Sequence, residues 1–195
     1  VTGERAVYGI APEQHLAAAF YRNTIIHHFL ASSIAELALL GAAEQAPVDR
    51  AAAFESEALA IRDLLKFDFF FAGRDEFADE LWSEMAIMSG QEYDPNAPLE
   101  SVEAARILQQ SDLIVADLVL RPFVDAYRVV AEELAALDPG AATAEQALLE
   151  NCLRLGRQWS LQHRITEESV SGEMFSTAVK MARHHGLLDT SAPLA

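Results

Sequence analysis

From Leu16 to Leu40 the large apolar residues return at steps of three and four: Leu16, Phe20, Ile26, Phe29, Leu30, Ile34 and Leu37. That spacing gathers them along one side of a helix and of no other regular structure. Pro12 suits the first turn, where its missing N–H is an orphan anyway, and Glu13 faces the positive helix end. Gly41 and Pro47 punctuate the far end. The same pattern repeats along the chain. Asp49 is placed to cap a second helix holding Phe54, Leu59, Ile61, Leu64 and Leu65. A third, from about Asp75 to Ser89, turns Phe77, Leu81, Trp82, Met85 and Met88 inward, and Gly90 stops it. A long amphipathic stretch over 100–137 must kink or split at Pro122, which lacks an N–H and crowds the preceding turn. Asp138-Pro139-Gly140 ends it. Thr143 with Gln146 reads as a capping box for a helix reaching about His163. A final helix from about Ser171 ends at His184 and His185, cations suited to a C-terminus, with Gly186 as a left-handed cap.

The expected fold class is therefore mainly α: a multi-helix domain, or two helical subdomains over 1–90 and 99–190, divided by the two-proline stretch 91–98. Short extended segments are allowed for, because Phe67, Phe69 and Phe71 alternate with Asp68 and Phe70 as in a short strand or extended turn. The region 148–188 reads like a winged-helix scaffold.

With 195 residues, 51% of them hydrophobic, the chain can bury one good core or two small ones. A formal charge of −16 excludes nucleic acid as a partner, since no basic face covers phosphates, and argues against a polybasic surface for anionic lipid. A single cysteine, Cys152, excludes an intrachain disulfide, fits a reducing cytoplasm and reads as a small core hydrophobe. No secretory apolar region opens the chain, and Val1 in place of Met is compatible with a piece of something larger. The longest apolar window, Thr24 to Ala35, is short and holds two histidines, so no membrane span is expected.

Tyr21, Arg22 and Asn23 put three hydrogen-bonding side chains in a row on a greasy helix. Successive residues advance about 100° around the axis, so the three cannot share one core. Taken alone, they read as a core tyrosine, an ion-paired arginine and a solvated asparagine. His27 and His28 diverge by the same angle and cannot grip one metal as an i,i+4 pair would, so one packed and one surface histidine are expected. The run Phe67, Phe69, Phe70 and Phe71 is either core or a patch for a membrane or a neighbouring domain, with Asp68 keeping one edge wet. His184 and Asp189 form a His-x-x-x-x-Asp spacing that reads as chance, because Gly186 ends the helix between them. No Glu-x-x-His pair, glycine-rich phosphate loop, Gly-x-Ser-x-Gly elbow or paired-cysteine motif occurs, so no metal and no cofactor are expected.

Taken in order, Tyr21-Arg22-Asn23, His27 on the same helix, Leu65-Lys66, the phenylalanine run and Arg74-Asp75-Glu76 resemble the C-terminal region of bacterial glycerol-3-phosphate acyltransferases. The resemblance is clearest from Phe20 to Met85, weakens through 91–98, and returns as pattern over Ile107–Leu134 and Leu148–Leu188. Phe69-Phe70-Phe71-Ala72-Gly73 is greasier than that family's segment. The resemblance implies an enzyme that moves a fatty acyl group from acyl-CoA or acyl carrier protein to the first hydroxyl of glycerol 3-phosphate, giving lysophosphatidic acid. Its catalytic domain would lie upstream of residue 1, leaving no catalytic residue in this chain. Tyr21, Arg22 and Asn23 would then touch substrate or face that domain, and His27 would be the packed histidine. Phe67, Phe69, Phe70 and Phe71 would meet the domain or a membrane, with the enzyme seated peripherally on the cytoplasmic face. The alternative is a stand-alone helical ligand-sensing or protein-interaction module, which predicts an apolar cavity between helices and a dimer.

Overall fold

A computed structural model describes residues 11–46, 50–90, 101–110, 115–137 and 144–188. The order is α1 (His15–Ile25), a 3-10 turn (Ile26–Phe29), α2 (Leu30–Ala43), α3 (Arg50–Leu64), α4 (Arg74–Ser89), α5 (Ser101–Gln110), α6 (Val115–Val119), α7 (Arg121–Ala135), α8 (Glu145–Leu161), a 3-10 turn (Glu167–Ser169) and α9 (Gly172–His184). The protein is mainly α, as the periodicity predicts, and no strand forms among the described residues. The alternation at Phe67–Phe71 belongs to a turn and a short extended link, and the C-terminal part has no winged-helix strand there.

Helix α2 is the axis of the larger core. Ala31, Ala35, Ala38 and Ala42 are small enough to let neighbouring backbones close in, while Ile34 and Leu39 fill the space between. Around it stand α3, α4, α5 and α6, contributing Phe54, Ala58, Phe77, Leu81, Met85, Ile107 and Val119, with Leu120 at the α6–α7 junction. Two polar side chains sit inside this apolar helix, each with a use. Ser33 donates to the Phe29 carbonyl at 2.5 Å. Glu36, buried, accepts from the backbone N–H groups of Val115 and Ala116 at 3.2 and 2.7 Å, satisfying orphan donors that open α6.

Pro122 splits the long stretch as expected. It sits in the first turn of α7, where its missing N–H costs nothing. Within α7 the packing changes hands: Phe123 belongs to the α2-centred core, whereas Ala126, Val129 and Val130 join Leu148, Cys152, Trp159, Phe175, Ala178 and Val179 in a second core with α8 and α9. A Cβ on Gly156 of α8 would meet the Phe175 ring at 2.9 Å, so glycine is what lets α9 press this close. The boundary expected at 91–98 lies outside the described residues, as do Asp49, Thr143 and Asp138–Gly140. Gly90 and Gly186 both take positive φ (68° and 70°) at helix ends, the stops the sequence predicts. Ser171 caps α9 by accepting from the Met174 N–H at 3.5 Å.

The helical run Leu16–Ala43 has the length and apolar composition of a membrane span, contrary to the expectation that none is present. Its C-terminal half is the buried centre of the fold, which by itself accounts for that composition.

Candidate functional site

The phenylalanine run divides by direction. Phe69 lies 4.6 Å from Phe123 and 6.2 Å from Phe71 between ring centres, and Phe71 lies 5.5 Å from Phe77, a ladder of edge-on contacts reaching the core. Arg62 ties the ladder down: its guanidinium sits 5.7 and 5.6 Å from the Phe71 and Phe77 rings and donates to the Ala72 carbonyl and to Asp63. Phe70 points the other way and is 99% exposed. Of the four phenylalanines, two therefore belong to packing, one stands free, and Phe67 is half-buried against α9.

Arg22 is the fastener between the chain's two ends. Its two terminal nitrogens reach both carboxylate oxygens of Glu168 at 3.1 Å, the Leu118 carbonyl at 3.0 Å and Asn23 Oδ1 at 3.0 Å. This paired fork matches the carboxylate plane and joins α1 to the end of α6 and to the turn before α9. Arg22 is thus ion-paired and Asn23 exposed, as read from the residues alone, but Tyr21 is not core: it is 70% exposed, beside Phe20 at 68%. Leu16, Ile25 and Phe29 are also exposed, so the first half of the apolar stripe does not enter the core. Leu16 and Ile25 lie about 180° apart around the helix, so α1 shows apolar surface on more than one side. His27 and His28 are both exposed, their rings 3.9 Å apart. The expected packed histidine is absent because the tighter 3-10 turn sends Ile26 inward in its place.

These pieces meet at a cleft of about 340 Å³ lined by Asn23, Phe67, Asp68, Glu168, Glu173 and Thr177, among others. Burial pushes the Asp68 carboxyl up to about 6, opposed by the hydroxyl of Tyr127, which donates to it at 2.8 Å. The Tyr127 hydroxyl is raised in turn, by burial and then by Asp68. Sequence reasoning noted Asp68 only as a wet edge; the partner that buries it comes from α7, 59 residues on. A second, apolar cleft of about 390 Å³ lies between α2, α5, α6 and α7, lined by Leu37, Leu40, Leu108, Leu120 and Val124, with Arg121 and Asp117 on its edge. Cys152 is buried, and its thiol is pushed up to about 11, first by desolvation and then by the charge of Glu133; it stays protonated near neutral pH and serves as core. Asp189 lies outside the described residues. No group of three metal-ligating side chains gathers among the described residues.

A family model described as the glycerol-3-phosphate acyltransferase C-terminal region matches residues 2–191. The chain belongs to that family. The protein named "Putative acyltransferase plsB1" in Mycobacterium bovis, and its namesakes in two strains of Mycobacterium tuberculosis, are 45% identical to it over 190 residues. The aligned part is 96% of this chain but 30% of those proteins, so the chain spans about a third of the length of these curated relatives. No solved structure matches it. In this glycerol-3-phosphate acyltransferase C-terminal region, α1 exposes Leu16, Phe20, Tyr21 and Ile25, and the cleft lined by Asn23, Phe67 and Glu168 opens beside it.

Proposed function

We propose that this chain is the supporting C-terminal part of a glycerol-3-phosphate acyltransferase and performs no chemistry alone. In the whole enzyme an upstream domain transfers a fatty acyl group from acyl-CoA or acyl carrier protein to the first hydroxyl of glycerol 3-phosphate, giving lysophosphatidic acid. This part braces that domain on the cytoplasmic face of the membrane. The observation that carries the reading is α1: Leu16, Phe20, Tyr21 and Ile25 stand exposed on a helix held to the body through the Arg22–Glu168 pair. Exposed apolar side chains on more than one side of a helix ordinarily mark a contact, and the relatives have more than half their length outside this region to supply it. Tyr21, Arg22 and Asn23 then form the interdomain seam. Since Glu168, Leu118 and Asn23 already occupy the terminal nitrogens of Arg22, positioning is the better-supported role than grasping the substrate phosphate. Phe70, with Phe67 beside it, is the part of the aromatic run left for a membrane or domain contact.

The test uses a protein that carries both parts. Phe20→Ser combined with Tyr21→Ser alters exposed side chains and leaves the helical core of this chain intact, so circular dichroism of the 195-residue chain should not change. Acyl transfer to glycerol 3-phosphate by the longer protein should fall about tenfold, as expected when a large apolar contact is lost. The chain on its own should yield no product above buffer. Undiminished transfer by the double variant, or turnover by the isolated chain, would defeat the proposal.

A further inference from the structure

Only two lysines occur in the sequence, Lys66 and Lys180, and they converge on one ring. Lys180 Nζ lies 4.4 Å and Lys66 Nζ 5.5 Å from the centre of Phe67. His184, four residues beyond Lys180 on the same side of α9, closes the group: its ring meets Phe67 edge-on at 5.7 Å, and its Nε2 is 2.6 Å from Lys66 Nζ across 118 residues of sequence. His185 lies against His184 at 5.6 Å. We infer that Lys66, Lys180 and His184, set around Phe67, form a binding site for a phosphate group.

Charge bookkeeping supports this. In a chain with 30 acidic and 14 basic residues, Arg22, Arg62, Arg74, Arg121 and Arg183 each take an acid, whereas Arg128 and Arg164 sit over the Trp159 ring. Neither lysine has a carboxylate within ion-pair distance among the described residues. Of the neighbouring acids, Asp68 is held by Tyr127, Asp63 by Arg62 and Arg74, and Glu168 by Arg22, while Glu173 lines the same cleft as Phe67 without an ion pair to either lysine. Lys66 lies just beyond the C-terminal end of α3, and Lys180 and His184 lie in the last turns of α9, helix ends that carry about half a negative charge each. Against two ammonium groups that leaves about one positive charge unmatched. The overall −16 does not cancel it, because exposed charges beyond about 8 Å are screened at physiological salt. Each ammonium carries three donors; Lys66 directs one at His184 when that ring is neutral, and Lys180 has only its ring contact among the described residues. Several free N–H donors around an aromatic floor suit the oxygens of phosphate rather than a planar carboxylate. A soluble ester and a lipid headgroup both present such a phosphate, and Phe70, 99% exposed on the same turn, enters the bilayer only in the second case.

This inference does not rest on the acyltransferase reading, and its readout involves no acyl transfer. The 195-residue chain is titrated with inorganic phosphate by calorimetry and sedimented with vesicles of phosphatidylglycerol or of phosphatidylcholine. Phosphate binding is expected, weakened about tenfold in Lys66→Gln/Lys180→Gln and retained in Lys66→Arg/Lys180→Arg, with unchanged circular dichroism. If phosphatidylglycerol vesicles also pull the chain down, and Phe70→Ser weakens that without altering the phosphate titration, the headgroup is the source. If only phosphate binds, it is a soluble ester. Absence of binding to both, or equal binding by the glutamine variant, overturns the site.

Discussion

At the scale of single residues, Asp68 is a carboxylate whose partner and burial come from far along the chain. Its folded carboxyl sits at about 6, against an ordinary value near 4 in an unfolded chain, because burial disfavours the charge more than the Tyr127 hydroxyl favours it. The folded state therefore binds the extra proton across that window, and stability falls as pH rises from about 4 to about 6. Asp68→Asn keeps an acceptor for Tyr127 and removes the charge. Allowing for solvent reaching this partly exposed group, the variant should be more stable by about 1 kcal/mol near neutral pH and lose that advantage near pH 4. Denaturant unfolding at the two pH values reads this directly. A gap between variant and wild type that is the same at both would refute the assignment.

At the scale of elements, most helix boundaries were written locally. Pro122 opens α7, Gly90 closes α4, and Gly186 follows α9, because each residue's own φ or missing N–H dictates its place. The junctions were not written locally. Arg22 was readable as an ion-pair partner, but Glu168 lies 146 residues away and no periodicity points to it. Glu36 serves the N–H groups of Val115 and Ala116, 79 and 80 residues on, and no local pattern points to them. The Arg22–Glu168 junction can be measured by a double-mutant cycle. Both side chains are mostly shielded, so the coupling between Arg22→Ala and Glu168→Ala should be about 1 kcal/mol, above an exposed pair and below a buried one. Arg22→Lys should recover less than half of it, since one ammonium cannot match both oxygens at once. Full recovery by lysine, or zero coupling, would mean that the fork geometry does not hold α1.

At the scale of the molecule, the helical class and the family were legible because period and motif are properties of neighbouring residues. Which apolar residues go inward was legible only where the chain itself supplies the cover. Leu30, Ile34 and Leu39 are buried by α3 to α6, whereas Leu16, Phe20 and Tyr21 carry the same apolar signal and stay exposed among the described residues. If the cover is the upstream part of a longer protein, the two contexts must differ at α1 and agree at α2. Amide hydrogen exchange separates them. In the 195-residue chain, α1 (His15–Ile25) opens from a helix with little packed surface and should exchange fast, while α2 (Leu30–Ala43) should approach the global unfolding limit. In a protein that includes the upstream domain, α1 should slow by about tenfold or more, since each 1.4 kcal/mol of burial is a factor of ten in opening, and α2 should change little. Equal exchange of α1 in both would leave its apolar surface without an intramolecular partner and would remove the physical basis for reading this region as a brace.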